Sequence, residues 1–208
     1  MLNELLSRYP SLVNCKEAIR QAAAELIRCY TDGKKVMTCG NGGSCADADH
    51  IVGELMKGFL KKRPVKDSVK IRMQEQYPFL DAELLDGLQC GLPAVSLCSL
   101  TALNTAVCND IDPQLIYAQS VFGLGKKGDV LICMSTSGNA KNVCAAAQVA
   151  KAFGITVIGL TGSKGGRLKE LADVCVCVPE TETYKIQELH LPIYHYICAT
   201  VEARFFDI

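Results

Sequence analysis

The sequence predicts an α/β protein: a doubly wound parallel sheet of about five strands, flanked by helices on both faces. Three observations carry this. Short apolar runs alternate with longer stretches of helical periodicity. The runs are continuously apolar, as strands buried on both faces are, and do not alternate as an exposed sheet would. Several of them end in loops of small residues that lead into the next helix. The 208 residues suffice for one well-packed domain over 1–208. With 22 basic against 22 acidic residues the formal charge is zero, which argues against a nucleic-acid binder working through a broad basic surface. No run approaches the roughly 20 apolar residues of a membrane helix, so no membrane partner is expected. The opening MLNELLSRYP lacks a signal peptide's basic and apolar regions, so the expected address is cytoplasmic.

In chain order, Ser11 reads as the N-cap of a helix whose apolar positions include Leu12, Cys15, Ile19, Ala23, Leu26 and Ile27; Asp32-Gly33 ends it. The first strand is 35–39, closed by Gly40-Asn41-Gly42-Gly43-Ser44, and a helix over 44–59 follows. Residues 64–91 are charged and polar, with one helix at 79–88, and read as an insertion or lid packed beside the core. Further strands fall at 94–98, 129–134, 155–160 and 174–178. Helices fall at 101–107, 113–122, 139–153, 167–172 and 184–206.

Twelve cysteines suggest a disulfide framework or a zinc cluster, yet neither fits. A framework needs an oxidising compartment, and no C-x2-C pair is present. Most lie among apolar neighbours and read as small buried hydrophobes. Cys39 and Cys45 flank the glycine loop and are the thiols expected to be sensitive to oxidants.

Ligands of an open parallel sheet sit beyond the carboxyl ends of its strands. Glycine loops there let backbone N–H groups approach an anion, hydroxyls add donors, and the next helix points its positive end at the ligand. Gly40 to Ser44 is one such loop, and Ser135-Thr136-Ser137-Gly138-Asn139 is the better phosphate cradle. Two loops of this kind point to a phosphate or sugar-phosphate ligand. Neither is a dinucleotide or P-loop motif, and Ser99-Leu100-Thr101 offers no carboxylate for a ribose. All three histidines, His50, His190 and His195, fall in two helical segments. His50 and Glu54 share a helix face, a spacing that can hold a divalent metal or set a carboxylate beside a positive charge.

Taken together, CGNGGS at 39–44, His50 with Glu54, Arg63-Pro64, LPAVSL at 92–97, Asn109-Asp110, STSGN at 135–139, LTG at 160–162 and IQELH…H ending at His195 resemble the sugar isomerase (SIS) domain family. The resemblance is greatest to its isomerases of sedoheptulose 7-phosphate, and it spans nearly the whole chain. It implies aldose–ketose isomerisation of a sugar phosphate through an enediolate. Ser135, Thr136 and Ser137 would bind the phosphate. Asn41, Gly42, Gly43 and Ser44 would line the sugar, joined by Ser99 and Gln187. His50, Glu54, Gln187 and His195 would match a zinc site, with Glu54 also the catalytic base and His195 its acid partner. A homotetramer with sites at subunit interfaces is implied as well.

The residue types suit this chemistry: a carboxylate can take a proton beside a carbonyl, and an imidazole can serve the oxygens. Gln187 and His195 lie roughly 12 Å apart along a regular helix. Sharing one metal therefore needs a bend at Pro192 or ligands from different chains. The chain departs from the heptose enzymes at Ala140, where a Ser is usual, and at Ser99 and Tyr184, where an Asp is usual; residues 64–91 are an addition to the compact members. These changes bear on which sugar is bound. Two other readings are a non-catalytic SIS protein that binds partners and a regulatory phosphosugar sensor, neither of which needs both Glu54 and His195.

Overall fold

The computed structural model describes residues 1–206. It opens with α1 (Leu2–Arg8), a 3-10 turn (Pro10–Cys15) and α2 (Lys16–Thr31), then β1 (Val36–Cys39) and α3 (Gly43–Met56). An excursion holds α4 (Asp67–Gln76) and α5 (Ala82–Gly87), before β2 (Ala94–Ser96). The chain continues through α6 (Thr101–Asp110), α7 (Ile116–Leu124), β3 (Val130–Met134), α8 (Lys141–Ala152), β4 (Thr156–Thr161), α9 (Gly166–Leu171), β5 (Val174–Cys177) and α10 (Thr183–Phe206). All strands pair in parallel, in the order β2-β1-β3-β4-β5. This is a doubly wound order, with its switch point between β1 and β3.

The strands divide two cores by their period of two. Val130, Ile132 and Met134 face α2, α3 and α10, whereas Leu131 and Cys133 face α7, α8 and α9. The five predicted strands are all present. Three local expectations change. The helix expected from Ser11 begins as a 3-10 turn at Pro10 and becomes α-helical only at Lys16. The first helix, α1, was not expected; it buries a single side chain, Leu5. In the excursion α4 joins the expected α5, and between Pro64 and Gly91 only Leu85 is buried. The excursion closes at its base by a bridge between Pro64 and Gln89 and by Cys90 N–H donating to the Arg63 carbonyl at 2.7 Å.

The cysteines are packing residues, and only Cys108 is exposed. Cys39 is wholly buried against Cys133, and that contact together with burial holds its thiol far above the ordinary range. Burial and neighbouring Cys98 push Cys45 up to about 12. Neither is a ready thiolate, so the expected oxidant sensitivity of the pair is overturned. Among the described residues no helix is long and apolar enough to cross a membrane.

α10 docks onto the sheet partly through His190, which is fully buried. Its Nε2–H donates to the Thr161 carbonyl at 3.3 Å, while Nδ1 has no partner. Burial pushes the imidazole down from 6.5 to about 4. The unfolded chain therefore binds a proton that the folded chain refuses, and stability is lost as pH falls from 6.5 toward 4. The full loss is about 3 kcal/mol. In urea unfolding, His190→Gln is expected to flatten this acid limb relative to the parent chain.

Candidate active site

The two small-residue loops lie side by side, because β1 and β3 are direct neighbours in register at Cys39 and Cys133. After β1 the chain turns at Gly42, with φ +57°, and enters α3 at Gly43. Gly43 lies under Gln187: a Cβ there would stand 2.7 Å from the Gln187 amide and push that side chain aside. Asn41 exchanges two amide hydrogen bonds of 2.9 Å with Asn142 of α8, tying the first loop to the second. In the second loop Ser135 is buried, Thr136 half-buried and Ser137 exposed. Gly138, at φ +69°, lies so close to Gly165 that a Cβ would run into its carbonyl. Asn139 braces the loop, since its Oδ1 accepts from Arg167 N–H at 3.0 Å and its Nδ2 donates to the Ser137 carbonyl at 3.0 Å. A hollow of about 280 Å³ opens here, with Thr136, Ser137 and Lys164 in its wall.

Farther along, α3 and α10 run parallel. Gln187 Nε2 donates to Ser44 Oγ at 3.5 Å near the start of α3. Next, Tyr194 OH donates to Asp47 Oδ1 at 3.0 Å and lies 3.0 Å from His50 Nδ1. The phenol has a single proton, which it gives to Asp47, so it accepts from His50 Nδ1–H. His50 Nε2 lies 3.1 Å from Glu54 Oε1 and 3.5 Å from His195 Nε2. Burial lowers the His195 pKa, and the His50 charge adds to this, so the ring is neutral near pH 7. Burial and the Asp47 carboxylate push the Tyr194 phenol well up, keeping its proton in place.

The structure thus gathers His50, Glu54 and His195 and places Gln187 elsewhere, against Gly43 and Ser44. α10 is a continuous helix through Pro192. Ser99 is exposed and donates to Asp49 Oδ1 at 2.7 Å. Sequence reasoning missed Tyr194 and Asp47. A Tyr in an apolar helix reads as core, and Asp47 could have been found only as a carboxylate one turn before His50. By type, two imidazoles and a carboxylate suit zinc, and a metal-bound imidazole is commonly steadied by a hydrogen bond on its other nitrogen, as Tyr194 OH offers His50 Nδ1. Among the described residues, however, no three His, Cys, Asp or Glu form a ready metal cage. An ion held there would have to draw its remaining ligand from outside this chain, because Gln187 lies against Ser44.

A parallel sheet in this order, with two hydroxyl- and glycine-rich loops at its switch point, is a doubly wound α/β fold whose strand ends suit an anionic ligand. The SIS domain pattern matches residues 3–89 and 89–162, and the chain belongs to the SIS domain family. Among its relatives, phosphoheptose isomerase of Rhodospirillum rubrum is 38% identical over 191 residues, covering 92% of this chain and 88% of the relative. Phosphoheptose isomerase of Aneurinibacillus thermoaerophilus is 36% identical over 216 residues, covering 99% and 96%. The structure of phosphoheptose isomerase from Neisseria gonorrhoeae superposes with a TM-score of 0.74 at 31% identity, over 97% of this chain and 91% of that one.

Tyr194→Phe tests the hydrogen-bond chain. It is expected to release the Nδ1–H tautomer of His50, seen as a change in the imidazole 15N shifts, and to cost about 1–3 kcal/mol by leaving Asp47 short of a donor.

Proposed function

We propose that the chain is a phosphosugar isomerase that interconverts an aldose and a ketose phosphate such as sedoheptulose 7-phosphate. The observation that carries this is the meeting of Glu54 with two imidazoles on adjacent helices, in a fold whose strand-end loops suit a sugar phosphate. The names of the relatives support the same substrate class. A partner-binding or sensor protein has no need of a carboxylate held against His50 and His195, so the enzyme is the better reading.

Ser135, Thr136 and Ser137 hold the phosphate with backbone N–H groups and hydroxyls. Asn41, Gly42, Gly43, Ser44, Ser99 and Gln187 line the sugar. Glu54 takes the proton from the carbon beside the carbonyl, giving an enediolate, and returns it to the neighbouring carbon. His195, held neutral by burial, can give a proton to one oxygen and accept one from the other. In this reading His50, Glu54 and His195 would hold zinc, and Gln187 would reach the ion only from a neighbouring subunit. The metal supplies Lewis-acid polarisation of the carbonyl oxygen when bound.

Glu54 stands 11 residues beyond Gly43 on α3, roughly 16 Å along the helix. That separation supports sites completed between subunits of a homotetramer. So does the groove of about 500 Å³ beside His195, walled by Phe59, Leu60 and Leu191. Twelve unpaired cysteines suit the reducing cytoplasm.

With five- to seven-carbon sugar phosphates followed by NMR, turnover of at least one is expected; inertness toward all would remove the isomerase reading. Glu54→Gln is expected to lower kcat roughly 100-fold or more while phosphosugar binding persists. Elemental analysis before and after chelation is expected to find zinc whose removal lowers turnover and whose return restores it. Full activity in metal-free protein would take zinc out of the reading.

A further inference from the structure

Arg63 opens the Arg63-Pro64 motif, and the chemistry above gives it no task. Its side chain is fully buried, as is that of Glu202, with Arg63 Nε donating to Glu202 Oε1 at 2.8 Å. The other two guanidinium nitrogens donate to the end of α3: Nη1 to the Leu55 carbonyl at 2.8 Å and Nη2 to the Glu54 carbonyl at 3.1 Å. Glu202 is equally engaged, accepting from Phe59 N–H and Leu60 N–H at 2.8 Å each. The Phe206 ring lies 4.5 Å from the guanidinium carbon.

A buried ion pair is a weak source of stability, because desolvation offsets its attraction. Its planar fork does fix geometry, and the carbonyls at a helix C-terminus lack partners unless something donates to them. Here the receiving carbonyls belong to Glu54 itself and its neighbour. Glu202 lies seven residues after His195 on α10, two turns on and nearly the same face. We infer that Arg63 and Glu202 are positioning residues, a clasp that sets the Glu54 carboxylate against His50 and His195. Its bearing on catalysis rests on the reading of Glu54 as the base.

Arg63→Lys keeps the charge and loses the fork; Glu202→Gln keeps the shape and loses an acceptor, and serves if the first variant does not fold. In folded protein, kcat is expected to fall roughly 10- to 100-fold, while the Kd of a seven-carbon polyol phosphate, which lacks the carbonyl and cannot react, stays within about threefold because the phosphate loop is untouched. The imidazole 15N resonances of His50 and His195 are expected to shift in both variants. A merely structural clasp would lower Tm and leave kcat per folded site and these resonances as in the parent chain, and that result overturns the inference. If the parent chain turns over no sugar phosphate, the isomerase reading fails separately. The resonances then still decide the clasp: shifts uphold it, and unchanged lines overturn it.

Discussion

The parallel packing of α3 against α10 is the constraint on which the site depends. Along this seam Gly43 meets Gln187, Asp47 and His50 meet Tyr194, Glu54 faces His50 near His195, and Arg63 just beyond α3 meets Glu202. At one end of the seam the Gln187 amide packs where a Cβ on Gly43 would stand. The other end is pinned by buried charge. Between them neither helix can slide by a turn without breaking the hydrogen bonds of Tyr194. His50, Glu54 and His195 are therefore positioned by the packing of two helices and not by a loop.

The anion end is built differently. The chain has no net charge, and the Ser135 to Asn139 loop is shaped by backbone contacts with Gly165, Arg167 and Leu168, through carbonyls and N–H groups. Attraction for a phosphate is then local, arising from aligned N–H groups and the start of a helix. The double amide exchange between Asn41 and Asn142 fixes the spacing of the two loops. The two strand-end loops and the α3–α10 seam are thus separate structural devices, joined where β1 leads into α3.

The strands were legible because each is a short apolar run ending in small residues, and burial on both faces leaves no other pattern. α1 and α4 were not, for the same reason inverted: one buries a single residue and the other none, so no periodicity marks them. Gly43, Ser135, His50 and Glu54 could be picked out by residue type and spacing, whereas His195 was marked only by the family resemblance. Tyr194 could not, since its role depends on which atom of which neighbour its hydroxyl reaches. Nor could the burial of Arg63, because a lone Arg beside a Pro reads as surface. The spacing of Gln187 and His195 left a bend at Pro192 or a second chain open; α10 runs on through Pro192, and the two side chains reach different neighbours.

The excursion between Pro64 and Gly91 leaves and re-enters the fold at almost one place, joined by the Pro64–Gln89 bridge and the Cys90–Arg63 hydrogen bond. A segment whose ends already touch can change length at little thermodynamic cost, about 0.6 kcal/mol per doubling. It buries little of the core, so its sequence is free to drift. Yet its root lies within one residue of the clasp that holds Glu54. Evolution can therefore rewrite the surface beside Glu54, and with it whatever approaches from that side, while the sheet and its two loops stay unaltered.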